Sequence, residues 1–275
     1  MNCLISENFL PRKFFGVPAV TKLMPQLILF LLFVSLLGAN HSFADTPYIT
    51  IIIDDIGNNE ARGIRTAELK GPVTLAILPN RPYSKELAEL AHKNNKEVIL
   101  HAPMQNLRNI ALGQGALTTE LKGKAFRTEL TKSINSIPYI IGINNHMGSL
   151  LTTKHLQMNW TMQIVKEKKL FFVDSKTNAK SIAKDVALIH QIPSVARDVF
   201  LDHERTASFI DKQFEKCLNI ARRTGHCLLI GHPYPETLNH LEAAIPKLKA
   251  RGIEQKRLST WVKEKNRALT KEQSL

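Results

Sequence analysis

What most constrains this chain is an alternation. Short runs dominated by Ile, Leu, Val and Phe fall at 48–53, 73–78, 97–100, 140–143, 170–173, 194–202 and 227–230. Each is too short for a helix and reads as a buried strand, about seven in all. Between or after them, 60–70, 83–95, 124–137, 153–169, 206–224 and 236–251 carry helix formers. Such alternation implies a parallel sheet with helices outside, closed or nearly closed into a barrel. No linker rich in Pro, Gly or Ser divides 45–275, so that stretch reads as one domain. The segment 106–122 lacks periodicity and holds Gly113 and Gly115, which predicts a long functional loop, without the spacing of a phosphate-binding loop. The charged tail after 264 is expected to fray.

The first 44 residues stand apart. Arg12, Lys13 and Lys22 precede the apolar run 27–37, and Ser42-Phe43-Ala44 follows it. This order resembles a secretory signal peptide and predicts an exported, periplasmic protein. The run is short for a membrane span, and an uncleaved N-terminal anchor is the alternative. A start at Met24 would leave no basic residue ahead of the run, so Met1 is the preferred start. Removal of 1–44 leaves 231 residues, and loss of the three basic residues and Glu7 lowers the net charge from +13 to +11. That excess suggests an anionic envelope polymer or membrane surface as neighbour, or serves solubility alone. Nucleic acid fits poorly, because the basic residues are scattered and no recognition motif accompanies them. Cys217 and Cys227 remain after cleavage. In an oxidising compartment they could bridge, or they could stay two buried thiols.

The chemistry collects where the strands end. Asp54 and Asp55, His101, His146, Asp174, Arg197 with Asp198, and His232 all follow apolar runs. In barrels of parallel strands these ends converge on the face that carries the site. Each has a bland reading when taken singly. An Asp pair before Gly57 can cap a helix, and a lone His after a strand is more often a hydrogen-bonded structural residue. Recurrence at successive strand ends argues for a site. Alternation along an extended chain predicts Asp54 and Asp55 on different sides of their strand end. One carboxylate and two imidazoles make a three-ligand zinc set with a position left for water. A second carboxylate can take a proton, a separate His can give one, and an Arg can orient the base or bind an anion. Gly148-Ser149 lacks a nucleophile-elbow pattern, and neither remaining Cys ends a strand beside a His. Metal-assisted hydrolysis is the economical reading.

Six ordered motifs carry a family resemblance: Ile52-Ile53-Asp54-Asp55-Ile56-Gly57, His101-Ala102-Pro103-Met104-Gln105, Gly115-Ala116-Leu117-Thr118-Thr119, Asn144-Asn145-His146-Met147-Gly148-Ser149, Arg197-Asp198-Val199-Phe200-Leu201-Asp202 and Ile230-Gly231-His232-Pro233. From about Tyr48 to Trp261 the chain resembles the divergent polysaccharide deacetylases. The resemblance implies a distorted (β/α)7 barrel and metal-dependent, zinc-type deacylation of an envelope polysaccharide or peptidoglycan. It implies Asp54 as catalytic base, Asp55 and His101 as metal ligands, and His232 as general acid. Ordinary polysaccharide deacetylases place a second His ligand four residues after the first. Gln105 stands there in this chain, and His146 is the candidate third ligand. Arg197-Asp198 matches the arginine motif loosely, and Asp174 has a supporting role. Two other functions stay open: a non-catalytic glycan-binding module with a degenerate site, motivated by Gln105, and a metal-dependent phosphoesterase, motivated by the positive charge and Arg197.

Overall fold

Three consecutive isoleucines need cover on both faces of a strand, and the fold supplies it. The computed structural model describes residues 46–272 together with the isolated Lys13, so the signal-peptide reading falls outside the described residues. The strands are β1 (Tyr48–Ile56), β2 (Val73–Ile77), β3 (Glu97–Met104), β4 (Ile140–Met147), β5 (Phe171–Asp174), β6 (Ser194–Ala196), β7 (Val199–Phe200), β8 (His226–Gly231) and β9 (Glu254–Gln255). The helices are α1 (Glu60–Glu68), α2 (Ser84–Lys93), α3 (Gly123–Asn135), α4 (His155–Glu167), α5 (Ala183–Ile189), α6 (Ala207–Thr224), α7 (Pro235–Ala244) and α8 (Leu258–Glu272). The strands pair in the order β6-β5-β4-β3-β2-β1-β8-β7, all in parallel, and β9 adds to the start of β1.

The sheet is closed by one short segment. β6 pairs with β5 and β7 with β8, and only Arg197 and Asp198 separate β6 from β7. Arg197 N donates to Asp174 O and Asp198 N to Leu228 O, each at 3.0 Å. β6 and β7 are therefore two halves of a seventh strand that steps from one sheet edge to the other. The result is a distorted (β/α)7 barrel.

Residue parity divides the core in two. Ile52, Ala76, Ile99, Val173, Val195, Leu228 and Ile230 fill the inside, plugged at the N-terminal end of the strands by Leu258, Trp261 and Val262 of α8. Ile51, Ile53, Leu75, Leu100, Phe172 and Leu229 face outward against the helices, where Phe126 and Phe214 pack. Each such fully buried Ile or Leu contributes about 2 kcal/mol. Cys217 of α6 and Cys227 of β8 form a disulfide with Cα atoms 5.7 Å apart, so the bridge is the alternative realised.

Three sequence expectations need correction. The stretch 183–189 is a helix, missed because it makes only two turns and leaves Leu188 and Ile189 exposed. The segment 236–251 is not one helix: α7 stops at Ala244, and 3₁₀ turns over Ile245–Lys247 and Lys249–Arg251 follow. Pro246 causes the break, since it cannot donate to an α-helical ladder. The C-terminal segment is helical to Glu272 because Leu258, Trp261 and Val262 have the barrel floor to bury against.

Candidate active site

β1 ends in a bulge. Its pairing with β2 slips between Ile53 and Ile56, and Asp55 takes φ +58 in the left-handed region. The expected divergence of the two carboxylates is thereby overturned. Asp54 keeps the inward parity of Ile52, and the turn at Asp55 swings the second carboxylate to the same side. Both then face His101: Asp54 Oδ1 lies 3.6 Å from its Nδ1 and Asp55 Oδ1 3.2 Å from its Nε2. β2 lies between β1 and β3, but its last inward residue is only Ala76, which leaves the side chains room to meet across it. Gly57, at φ +125, then turns the chain where a Cβ would lie 2.7 Å from Ser84 Oγ and 3.1 Å from Arg81 Cβ. Asn59 caps α1 by accepting from Arg62 N.

His101 and Asn144 are register partners on β3 and β4, so their side chains stand side by side on the inner face. Asn144 Oδ1 sits 2.8 Å from His101 Nδ1, and Asn144 Nδ2 donates to Asp54 Oδ1 at 2.7 Å and to Ser175 Oγ at 3.3 Å. Two residues further on, His146 shares that face. Its Nδ1 lies 2.8 Å from Asp55 Oδ1 and 3.1 Å from His101 Nε2. These three donor atoms form a triangle with sides of 2.8, 3.1 and 3.2 Å.

The triangle suits a cation. Tetrahedral zinc with N and O ligands near 2.0–2.1 Å has donor–donor edges of roughly 3.3 Å. Asp55 Oδ1 is buried and orphaned: two imidazole nitrogens crowd it, yet neither ring aims an N–H at it with hydrogen-bond geometry. Burial pushes the Asp55 carboxyl up, but the imidazoles of His101 and His146 outweigh it and hold the group well below the usual carboxylate range. Among the described residues, Asp55, His101 and His146 are the one set of His, Cys, Asp or Glu side chains grouped as metal donors. Gln105 does not join them. Its Oε1 accepts from Thr119 N and Thr119 Oγ1, both at 2.8 Å, tying β3 to the long loop.

His232, after β8, is held by a residue to which sequence reasoning assigned no role. Asp202 is buried and accepts from His232 N at 2.6 Å and Thr237 Oγ1 at 2.8 Å, with His232 Nδ1 2.9 Å from its Oδ1. The position of Asp202 at the end of an apolar run was the available signal. His232 Nε2 points to the cluster, 3.8 Å from Asp55 Oδ2, and the ring lies between Phe200 and Tyr234, each 5.3 Å away. Burial opposes charging His232, but the hydrogen bond and charge of Asp202, with Asp55 and Asp54, push its pKa up to about 9. Burial raises Asp54, only partly countered by His101, His232 and Asn144.

Two expected residues stand further back. Arg197 Nε donates to Ser175 O at 2.6 Å and Nη2 to Lys176 O at 2.9 Å, with the guanidinium 4.8 Å from the Phe200 ring centroid. Burial lowers its pKa against the pull of Asp54, Asp174 and Asp198. The structure does not bring Asp174 to the cluster. Val173 takes the inward position of β5, so Asp174 points the other way, accepting from Lys176 N and Ser181 Oγ at 2.8 Å each. Its supporting role is the shape of the 175–181 loop.

The fold and the donor triangle define a (β/α)7-barrel protein with a three-donor centre at the strand ends. The chain belongs to the divergent polysaccharide deacetylase family, whose model matches residues 51–262. It is 32% identical over 200 residues to the uncharacterised protein YibQ of Escherichia coli (strain K12), covering 73% of this chain and 63% of that one. The chain thus spans less than two thirds of that relative's length. An uncharacterised protein of Haemophilus influenzae (strain ATCC 51907 / DSM 11121 / KW20 / Rd) is 30% identical over 219 residues, covering 80% of this chain and 78% of the other. The crystal structure of the uncharacterised protein ATU2773 from Agrobacterium tumefaciens C58 superposes with a TM-score of 0.76 at 20% identity, covering 79% of this chain and 89% of that chain. That likeness establishes the shared fold.

Proposed function

We propose that this protein is an exported, zinc-type metal-dependent hydrolase that removes acyl groups, N-acetyl foremost, from an envelope polysaccharide or peptidoglycan. The observation that carries the reading is the triangle of Asp55 Oδ1, His101 Nε2 and His146 Nδ1, flanked by a second carboxylate and a second, carboxylate-held imidazole. A divalent metal bound there would polarise the acyl carbonyl and acidify a water. Asp54 takes a proton from the water that adds to the carbonyl carbon, a task suited by its raised pKa. His232 gives a proton to the departing amine nitrogen as the C–N bond breaks. Its Nδ1 faces Asp202, its Nε2 faces the cluster, and its pKa near 9 keeps it charged at neutral pH. Tyr234 stacks beside His232, and Arg205 lies 3.7 Å over the Tyr234 ring.

Export is supported by the n-region, the apolar run 27–37 and Ser42-Phe43-Ala44, and by a disulfide that an oxidising compartment would maintain. The net positive charge fits an anionic envelope surface as neighbour. Purified protein loaded with zinc should release acetate from N-acetylglucosamine polymers. Asp54→Asn and His232→Ala should each abolish release while keeping the folded circular dichroism spectrum. Rates equal to wild type in both variants would reject the assignment. Fractionation of expressing cells, with N-terminal sequencing of the mature protein, tests cleavage after Ala44.

A further inference from the structure

We infer that Asn144 is a positioning residue whose single carboxamide sets both the coordinating face of His101 and the free oxygen of Asp54, and this rests on the deacylase reading above. Asn144 donates from its amide nitrogen to Asp54 Oδ1 at 2.7 Å. Ser175 Oγ, 3.3 Å from the same nitrogen, accepts the second N–H and reinforces that orientation. The carbonyl oxygen of Asn144 then faces His101 Nδ1 at 2.8 Å. A carbonyl can only accept, so His101 carries a proton on Nδ1, and Nε2 is the nitrogen that faces Asp55 Oδ1 and His146 Nδ1, the one a cation there would take. One amide, fully buried, therefore makes two assignments at once. It presents the correct nitrogen of His101 to the cation site, and it occupies Asp54 Oδ1 so that Oδ2 remains for the reacting water.

No other side chain of this size does both. Leucine fills the space and makes neither bond. Aspartate keeps the acceptor for His101 and replaces the donor to Asp54 with a second carboxylate. The register of β3 and β4, which pairs His101 with Asn144, is the reason the amide can reach both groups.

The two variants separate the two tasks. In Asn144→Leu, zinc affinity measured by competition with a chromogenic chelator should fall about 10- to 100-fold, the range expected when a metal-ligating His loses its outer partner. Asn144→Asp should bind zinc much as wild type does but lose acetate release. In the zinc-loaded wild type, ¹⁵N-resolved NMR should show a protected proton on His101 Nδ1, and this proton should exchange freely in Asn144→Leu. Wild-type zinc affinity in Asn144→Leu, or a His101 proton on Nε2 in the loaded wild type, would overturn the proposal. If Asn144→Leu does not fold, full acetate release by Asn144→Asp overturns it equally. The affinity and NMR readouts need no turnover, so a wild type that binds zinc through His101 Nε2 and releases no acetate would refute the deacylase reading while leaving this assignment standing.

Discussion

The Asp202–His232 pair gives the sharpest single test, because its effect has a pH window with a definite sign. Asp202→Asn keeps the shape of the side chain but removes its charge and one acceptor. In the metal-free protein the His232 pKa is about 9, against an ordinary imidazole value of about 6.5. Burial alone would lower it, so Asp202 and the charges of Asp55 and Asp54 supply the rise. A pKa raised on folding stabilises the protein fully below the unfolded value, and that contribution is lost as pH climbs through the folded one. The difference of some 2.5 units corresponds to about 3 kcal/mol, present below pH 6.5 and gone above pH 9. We expect Asp202→Asn to lower the His232 titration, followed by NMR of the imidazole after chelator treatment, because its largest raising partner is lost. Urea unfolding at several pH values should show the largest stability gap between wild type and variant in mildly acidic buffer, narrowing toward pH 9. A His232 titration within half a unit of wild type, or a gap that widens with pH, would refute the reasoning.

Other outcomes follow from the same geometry. His146→Ala should weaken zinc binding by more than about 100-fold, beyond the loss of an outer-shell partner, as isothermal titration would show. Gln105→Ala should leave zinc affinity unchanged, because the amide holds Thr119 and not the cluster, while hydrogen exchange across 106–122 should accelerate. Reducing the Cys217–Cys227 bridge, which spans 10 positions, should cost about 3 kcal/mol of stability in denaturant melts with and without reductant. Gly57→Ala should lower the melting temperature by several degrees, since a Cβ at φ +125 meets both strain and the Ser84 hydroxyl.

The sequence by itself determined the barrel and most of its cluster. Buried parallel strands read as unbroken apolar runs, and their ends are marked by the polar residues that interrupt them, so Asp54, Asp55, His101, His146 and His232 were visible without coordinates. Asp174 was visible too, as the polar residue that ends β5. Side-chain direction at a strand end depends on parity, which one residue reverses, and Val173 holds the inward place. The tertiary structure alone decided that Asp54 and Asp55 face the same way, because that turns on a left-handed φ at one non-glycine residue. It alone made Asn144 the link between base and ligand, a consequence of β3–β4 register, and set Asp202 behind His232, thirty residues away along the chain. The seventh strand reads as one run in sequence and serves two sheet edges in space, since only closure of the barrel tells Arg197 and Asp198 to change partners. Local patterns encode which residues are buried and in what kind of element. Which of them meet is encoded in register and curvature, and these exist only once the strands have paired.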